Sequence, residues 1–421
     1  MKSLWIVNKC CGALHEKIYG KKATGGQWLD AMLDEARTHA DDAVVVVNIE
    51  ANPSISQIKD GNITYYTIRG GQNEKYNHKD PAQIAAWRKI YERERPDVTV
   101  IWGSEFTYSL AAMTASPSTP SVLYVQGILD SIAKYYTAGL NEKELHYACS
   151  LRDLLQRNTI RQKARNFNRR AEYEREIIVK SGHIIIENEW ARAYCEKIYS
   201  EVQAHYLPIS ICSEFRNHSW NEAQMMPHTL MCSAADYPLK GLHMLLRALA
   251  IIKKKYPDVR LFVPGAAFKQ PRGLKAALKQ NGFSRWILKL TDELDLTENI
   301  VYTGRLTADE MAQKMSEVSA FAMCSAIENH SSTLKEAMTV GTPCVASYVG
   351  GVPEYAKSEE NCLLYRFEDY EVLAKHVCRL FEDKDLRAKL STQASNDMRK
   401  PKEESDYEAM LKILNHIIKG S

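Results

Sequence analysis

Two glutamates separated by seven residues, Glu328 and Glu336, sit in Ser325-Ala-Ile-Glu-Asn-His-Ser-Ser-Thr-Leu-Lys-Glu-Ala-Met-Thr-Val-Gly-Thr-Pro-Cys-Val-Ala-Ser347. Phe321-Ala-Met-Cys324 reads as a buried strand, which places Ser325 to Asn329 at its carboxyl end. A helix is expected to start at Ser331 or Ser332, because serine caps well and Leu334, Ala337 and Met338 supply an apolar face. Gly341 and Pro343 end it. The free N–H groups near Ser331, Ser332 and Thr333, together with the helix dipole, make a receiver for phosphate. Glu336, one turn inside, is placed to accept hydrogen bonds from ribose hydroxyls. Glu328, ahead of the helix, is placed to accept from sugar hydroxyls beyond the phosphates. Glutamates at this spacing also occur on solvated helix faces, so the surroundings must decide between the two.

Those surroundings are a repeated strand and helix pattern. Ser3-Leu-Trp-Ile-Val7, Ala43-Val-Val-Val-Val47, Asp97 to Trp102, Ser121 to Val125 and His183 to Ile186 are short apolar runs separated by helical segments. Continuous apolar strands are buried on both faces, and the helical spacing predicts a parallel sheet. A second series follows an aperiodic stretch from Pro208 to Pro227: Thr229 to Cys232, Leu261 to Val263, Ile300 to Tyr302, Ala320 to Met323 and Cys344 to Ala346, with a helix over Gly241 to Lys255. At 421 residues, two cores are expected rather than one. The predicted fold class is α/β, with two Rossmann-like, doubly wound parallel-sheet domains facing a cleft. The predicted boundaries are 1–206 for an acceptor-side domain, 207–226 for a linker and 227–404 for a nucleotide-sugar domain. A terminal helix at 405–421 is free to pack back on the first domain.

Within this frame the Glu328 to Glu354 stretch resembles the signature of glycosyltransferase family 4. The Glu-x7-Glu pair, Glu336-Ala-Met, the Gly341-Thr-Pro turn and Ala346-Ser-Tyr-Val-Gly-Gly-Val-Pro-Glu354 carry the likeness. Lys240-Gly241 is similar to the family's phosphate-binding lysine, and Val301-Tyr-Thr-Gly304-Arg305 to its base-side strand and turn. Gly25-Gly26 resembles its diphosphate-approaching glycine pair. Trp102-Gly-Ser-Glu-Phe106 and Val125-Gln-Gly127 are similar to its acceptor-side strand ends. Two departures stand out: Ala235 replaces an arginine common in the family, and Trp102 and Gln126 stand where relatives often carry histidines. Glu105 and Gln126 are the polar residues left there.

The resemblance implies a GT-B enzyme that moves a sugar, with retention, from a nucleotide-diphosphate donor to a glycan or lipid-linked acceptor. Glu328 and Lys240 are the expected catalytic residues. Glu336, Ser331, Ser332, Thr333, Gly25, Gly26 and Gly304 are expected to bind the donor, and Glu105 and Gln126 lie on the acceptor side. No cofactor or metal is expected, and a UDP-sugar is favoured over a GDP-sugar. Asp383-Lys-Asp385 has the spacing of a metal-binding pair but reads as a solvated helix boundary. A nucleotide-sugar epimerase of similar architecture and a non-catalytic glycan-binding relative are the alternatives.

Composition and charge fit this picture. The chain is 45% hydrophobic and 25% charged with a net charge of +3, which argues against disorder and nucleic-acid binding. Ten cysteines without metal-ligand spacing suit a reducing cytoplasm. The local exception is Arg152 to Arg170, with seven cations and one acid. It reads either as a solvated helix face, with Leu151, Leu154, Leu155 and Ile160 turned inward, or as a surface for an anionic membrane or lipid-diphosphate acceptor. The second reading puts the protein at the inner face of the membrane, and a role in cell-surface polysaccharide synthesis accords with the resemblance.

Overall fold

The computed structural model describes residues 1–8, 10–20, 27–50, 56–70, 76–233, 236–265, 268, 271, 273 and 278–420, without the side chains of 13, 19 and 27. Gly25, Gly26 and Ala235 therefore lie outside the described residues. The chain divides into two compact units: Met1–Asp130 with Asn168–Ser210 and Lys402–Ser421, and Ser131–Phe167 with Ile211–Pro401.

The first unit is built on eight strands: β1 (Lys2–Val7), β2 (Ala43–Glu50), β3 (Gln57–Asp60), β4 (Ile63–Arg69), β5 (Val98–Trp102), β6 (Ser121–Tyr124), β7 (His183–Ile186) and β8 (Gln203–Tyr206). Their order in the sheet is β3-β4-β2-β1-β5-β6-β7-β8. The valine run of β2 shows why such strands read as continuously apolar. Val45 and Val47 join Leu4 and Ile6 in one core, while Val44 and Val46 join Trp5 and Val7 in another. Both faces are thus buried, as a parallel sheet requires. The antiparallel β3–β4 hairpin, turning at Gly61 with φ 61°, is an edge element that the parallel pattern did not anticipate.

The second unit carries β9 (Met226–Cys232), β10 (Arg260–Pro264), β11 (Ile300–Gly304), β12 (Val318–Met323), β13 (Cys344–Ser347) and β14 (Leu363–Tyr365). They are all parallel, in the order β11-β10-β9-β12-β13-β14. Successive strands step one way from β9 and then, with β12, the other. The point where the order reverses lies between the carboxyl ends of β9 and β12, the place where doubly wound sheets take ligands.

The division departs from the sequence boundaries at residues 131–167 and agrees with the terminal helix packing back on the first domain. Residues 131–167, expected in the first domain, pack into the second unit, where Tyr136, Leu140 and Ile160 share a core with Leu242 and Trp286. Polar ties reinforce this, since Glu144 pairs with Arg247 and Asp153 accepts from the Gly282 amide at 2.6 Å. The final helix, Asp406–Gly420, belongs to the first unit. Its Tyr407, Met410, Leu414 and Ile417 join the core around Trp5 and Trp102, and Asp406 accepts from the Ser210 amide at 2.7 Å.

Candidate functional site

At the reversal point of the second sheet, two loops meet. From β9 the chain runs into a short 3-10 turn, Pro238–Lys240, and the helix Leu242–Lys253. From β12 it runs through Ser325 to Asn329 into the helix Ser332–Val340. Ala326 donates its amide to the Leu239 carbonyl at 2.7 Å, so the loops are joined through backbone. That junction brings Lys240 Nζ to 2.6 Å from Glu328 Oε1, while Ser325 Oγ donates to the same oxygen at 2.5 Å. Ser347, at the end of β13, donates to the Ser325 carbonyl at 2.6 Å and fixes the loop from the other side. Burial opposes the charge on Lys240, but Glu328 and Tyr237 beside it outweigh that and hold its ammonium above its ordinary value. The lysine is a fixed cation across the working pH range.

Two glycines make this approach possible. Gly241 has φ 69°, and a Cβ there would lie 2.7 Å from the carbonyl carbon of Cys324. Gly350 has φ 51°, and its Cβ would lie 3.0 Å from the carbonyl carbon of Glu328. Gly351 then donates its amide to the Glu328 carbonyl at 3.3 Å. Backbone therefore presses on the Glu328 loop from both sides, where any side chain would displace it.

The helix Ser332–Val340 begins where expected. Ser331 is its N-cap, with its hydroxyl accepting from Leu334 N at 3.4 Å, and Gly341 closes it at φ 84°. The first turn carries no acid, a charge pattern that suits an anion at the helix start. Ser331 is buried and spends its hydroxyl on the cap, whereas Ser332 is exposed and Thr333 half-buried. Gly304 ends the outer strand β11 at φ 78° and accepts from the Gly265 amide at 2.8 Å.

Glu336 differs from Glu328 in having no ion pair or hydrogen bond among the described residues. It keeps some exposed surface, yet the protein around its carboxyl raises it from 4.5 to about 7 by desolvation. A carboxyl raised in this way costs stability as pH climbs from its unfolded value to its folded one, and the cost then stays constant. Glu336→Gln is expected to melt above the parent at about pH 8 and level with it near pH 4, where both are neutral. In the same variant the loss of charge-assisted hydrogen bonds should raise the donor KM about tenfold. A variant that melts below the parent at the higher pH, or leaves KM unchanged, would remove Glu336 from this role.

The first unit has its own reversal point, between the carboxyl ends of β1 and β5. Gly103 follows β5 with φ 90°, and a Cβ there would lie 2.8 Å from Asn8 Nδ2 and 3.1 Å from Gln126 Oε1, and against Glu105 Oε2. Asn8 also hydrogen-bonds Glu105 directly, and Tyr108 donates to Asn8 Oδ1 at 2.8 Å. Glu105 is thus held by Asn8, which sequence reasoning passed over although it directly follows β1, and Gln126 lies beside the same glycine. Behind them Glu174, from the helix Ile160–Ser181, accepts from Ser104 Oγ at 2.6 Å, Leu129 N at 3.0 Å and Tyr194 OH at 3.1 Å. Burial raises its carboxyl to about 7 against those bonds. It ties the loop after β5 to the segment after β6, a role that no local motif reveals. Trp102 ends β5 as expected and packs inward, with its ring 4.9 Å from Tyr124 and 5.1 Å from Trp28. Asp383 of the Asp-x-Asp spacing caps the helix Lys384–Met398, accepting from Leu386 N at 2.9 Å.

Residues 215–397 match the family model described as glycosyl transferases group 1. A D-inositol 3-phosphate glycosyltransferase of Corynebacterium urealyticum is 26% identical over 162 residues, covering 37% of this chain and 35% of that protein. An MMP alpha-(1->4)-mannosyltransferase of Mycolicibacterium hassiacum is 28% identical over 163 residues, covering 39% and 36%. The match therefore spans little more than a third of the length of these two curated relatives. Among solved structures, a sucrose-phosphate synthase of Thermosynechococcus elongatus aligns over 100% of both chains with TM-score 0.73 and 16% identity. HepE of Anabaena, solved with UDP-glucose, aligns over 100% of both with TM-score 0.65 and 15% identity. The fold class is that of these GT-B structures, with two α/β domains each built on a mainly parallel sheet.

Proposed function

We propose that the chain is a retaining, metal-independent glycosyltransferase that moves a hexose from a nucleotide-diphosphate sugar to a glycan or lipid-linked acceptor. The observation that carries this reading is the Lys240–Glu328 pair, 2.6 Å apart at the reversal point of the second sheet. It adjoins a helix start whose charge pattern suits phosphate. The match of residues 215–397 to group 1 glycosyl transferases supports it independently.

In this mechanism the donor diphosphate lies on the Ser332–Val340 helix start and draws Lys240 to itself. Glu328, relieved of part of its partner, accepts from hydroxyls of the donor sugar, and Glu336 accepts from the ribose. The acceptor hydroxyl oxygen bonds to the anomeric carbon on the face that the diphosphate leaves. As the bond from that carbon to the diphosphate oxygen breaks, the acceptor proton passes to the departing diphosphate. Lys240 and the helix dipole stabilise the charge that develops there, so catalysis consists of positioning and electrostatics. Glu105 and Gln126 serve the acceptor side. UDP-sugars are the favoured donors, a preference that accords with the UDP-glucose held by the Anabaena protein. The acceptor is met at the inner face of an anionic membrane, through the basic segment Arg152 to Arg170.

A thermal-shift panel of nucleoside diphosphates and their sugars tests the donor half. A ligand confined to the folded state, present at 100 times its Kd, contributes about 2.7 kcal/mol. UDP should raise the melting temperature by several degrees in the parent and by far less in Lys240→Ala. Equal shifts in both proteins, or none in the parent, would refute the assignment.

A further inference from the structure

The basic segment holds a surface that the apolar pattern misplaced. Leu151, Leu154 and Leu155, expected to face inward, are 69%, 53% and 86% exposed. They lie on a short helix, Leu151–Leu155, whose one inward residue is Asp153. Asp153 accepts from Ser150 N at 3.0 Å, Ser150 Oγ at 2.8 Å and Gly282 N at 2.6 Å. Arg152 donates to the Lys279 carbonyl at 2.9 Å. The leucines are therefore held in water by a firmly anchored helix and are not the product of a frayed end. Just beyond them the chain reverses at Arg157, a non-glycine residue at φ 50°. From 151 to 167 there are five cations, Arg152, Arg157, Arg161, Lys163 and Arg165, against Asp153, whose carboxylate is buried; Arg161 is paired with Glu142, which leaves four without an acid partner among the described residues.

We propose that this leucine helix inserts its apolar tip into an anionic lipid bilayer while the surrounding arginines stay among the headgroups. The inference rests on the membrane contact proposed above and gives it a surface. Exposed leucines in a basic segment are what an anionic interface binds, since apolar burial and headgroup attraction act together. A second copy of the chain fits poorly, because a self-complementary contact through the leucines would set arginine against arginine.

The test is sedimentation with vesicles of phosphatidylcholine alone or mixed with phosphatidylglycerol, run beside UDP thermal shifts on the same proteins. The parent should bind the mixed vesicles, and binding should weaken as salt screens the arginines. The double variant Leu154→Ser with Leu155→Ser should lose at least tenfold in vesicle affinity while keeping its melting temperature and UDP shift, since both side chains already lie in water. Parent protein that ignores the mixed vesicles overturns the inference, as does a double variant that binds like the parent. A parent dimer in sedimentation velocity that the double variant abolishes would assign the surface to self-association instead. Because the UDP shift is read separately, failure of the donor site and failure of the leucine surface give different results.

Discussion

Replacing Glu328 with alanine is expected to lower kcat by about a hundredfold to a thousandfold, the scale seen when one transition-state contact is lost from a preorganised site. The donor KM should change much less, because Lys240 and the helix start still hold the diphosphate. The structure supplies the reason for that split. Glu328 Oε1 already gathers Lys240 at 2.6 Å and Ser325 at 2.5 Å, and its backbone is clasped by Gly350 and Gly351. The carboxylate is thus positioned before any sugar arrives. Glu328→Gln keeps the bond from Ser325 but loses the charge that Lys240 faces, so it should fall between the parent and the alanine variant. Steady-state kinetics with a UDP-sugar separate the two parameters, and an alanine variant with near-parent kcat would remove Glu328 from the mechanism.

The second large effect concerns Gly241. Alanine there must hold a left-handed backbone, which costs about 1–2 kcal/mol, and its Cβ would press on the Cys324 carbonyl group, with the carbonyl carbon 2.7 Å away. Relief requires the Ser325 to Asn329 loop to move, and Glu328 moves with it. We expect a loss of about 3 kcal/mol, or roughly 6–12 °C in melting temperature for a unit of this size, together with loss of the UDP shift. Gly304→Ala is the internal control. Its φ of 78° imposes the backbone cost, but nothing among the described residues lies within 4 Å of its Cβ, so it should lose only about 1–2 kcal/mol. Similar melting curves for the two variants would mean that the contact with Cys324 does not matter.

The central sheet strands and the paired glutamates were legible because each rests on local pattern. The Val44 to Val47 run has one burial solution, and Ser331 and Gly341 mark the ends of a helix by cap chemistry alone. The convergence of Lys240 on Glu328 could be expected from family resemblance but not from spacing, since 88 residues separate them and only the strand order makes them neighbours. Asn8 and Glu174 were missed for the same reason, because their partners are distant in sequence. Leu151, Leu154 and Leu155 were misplaced through a different cause. Periodicity identifies an apolar face, but a buried Asp153, anchored by Gly282 from far along the chain, turned that face outward. Segment 131–167 moved to the second unit on similar long-range ties.

The most direct test is a mass balance on purified protein given a UDP-sugar and a glycan or lipid-linked acceptor, with nucleoside diphosphate and glycoside counted together. The account predicts one UDP released for each new glycosidic bond, an anomeric configuration like that of the donor, and at least about a hundredfold slower formation of both products by Glu328→Ala. An altered donor sugar without UDP release would instead indicate an epimerase. Donor binding without any turnover would indicate a binding module, and either outcome would contradict the assignment.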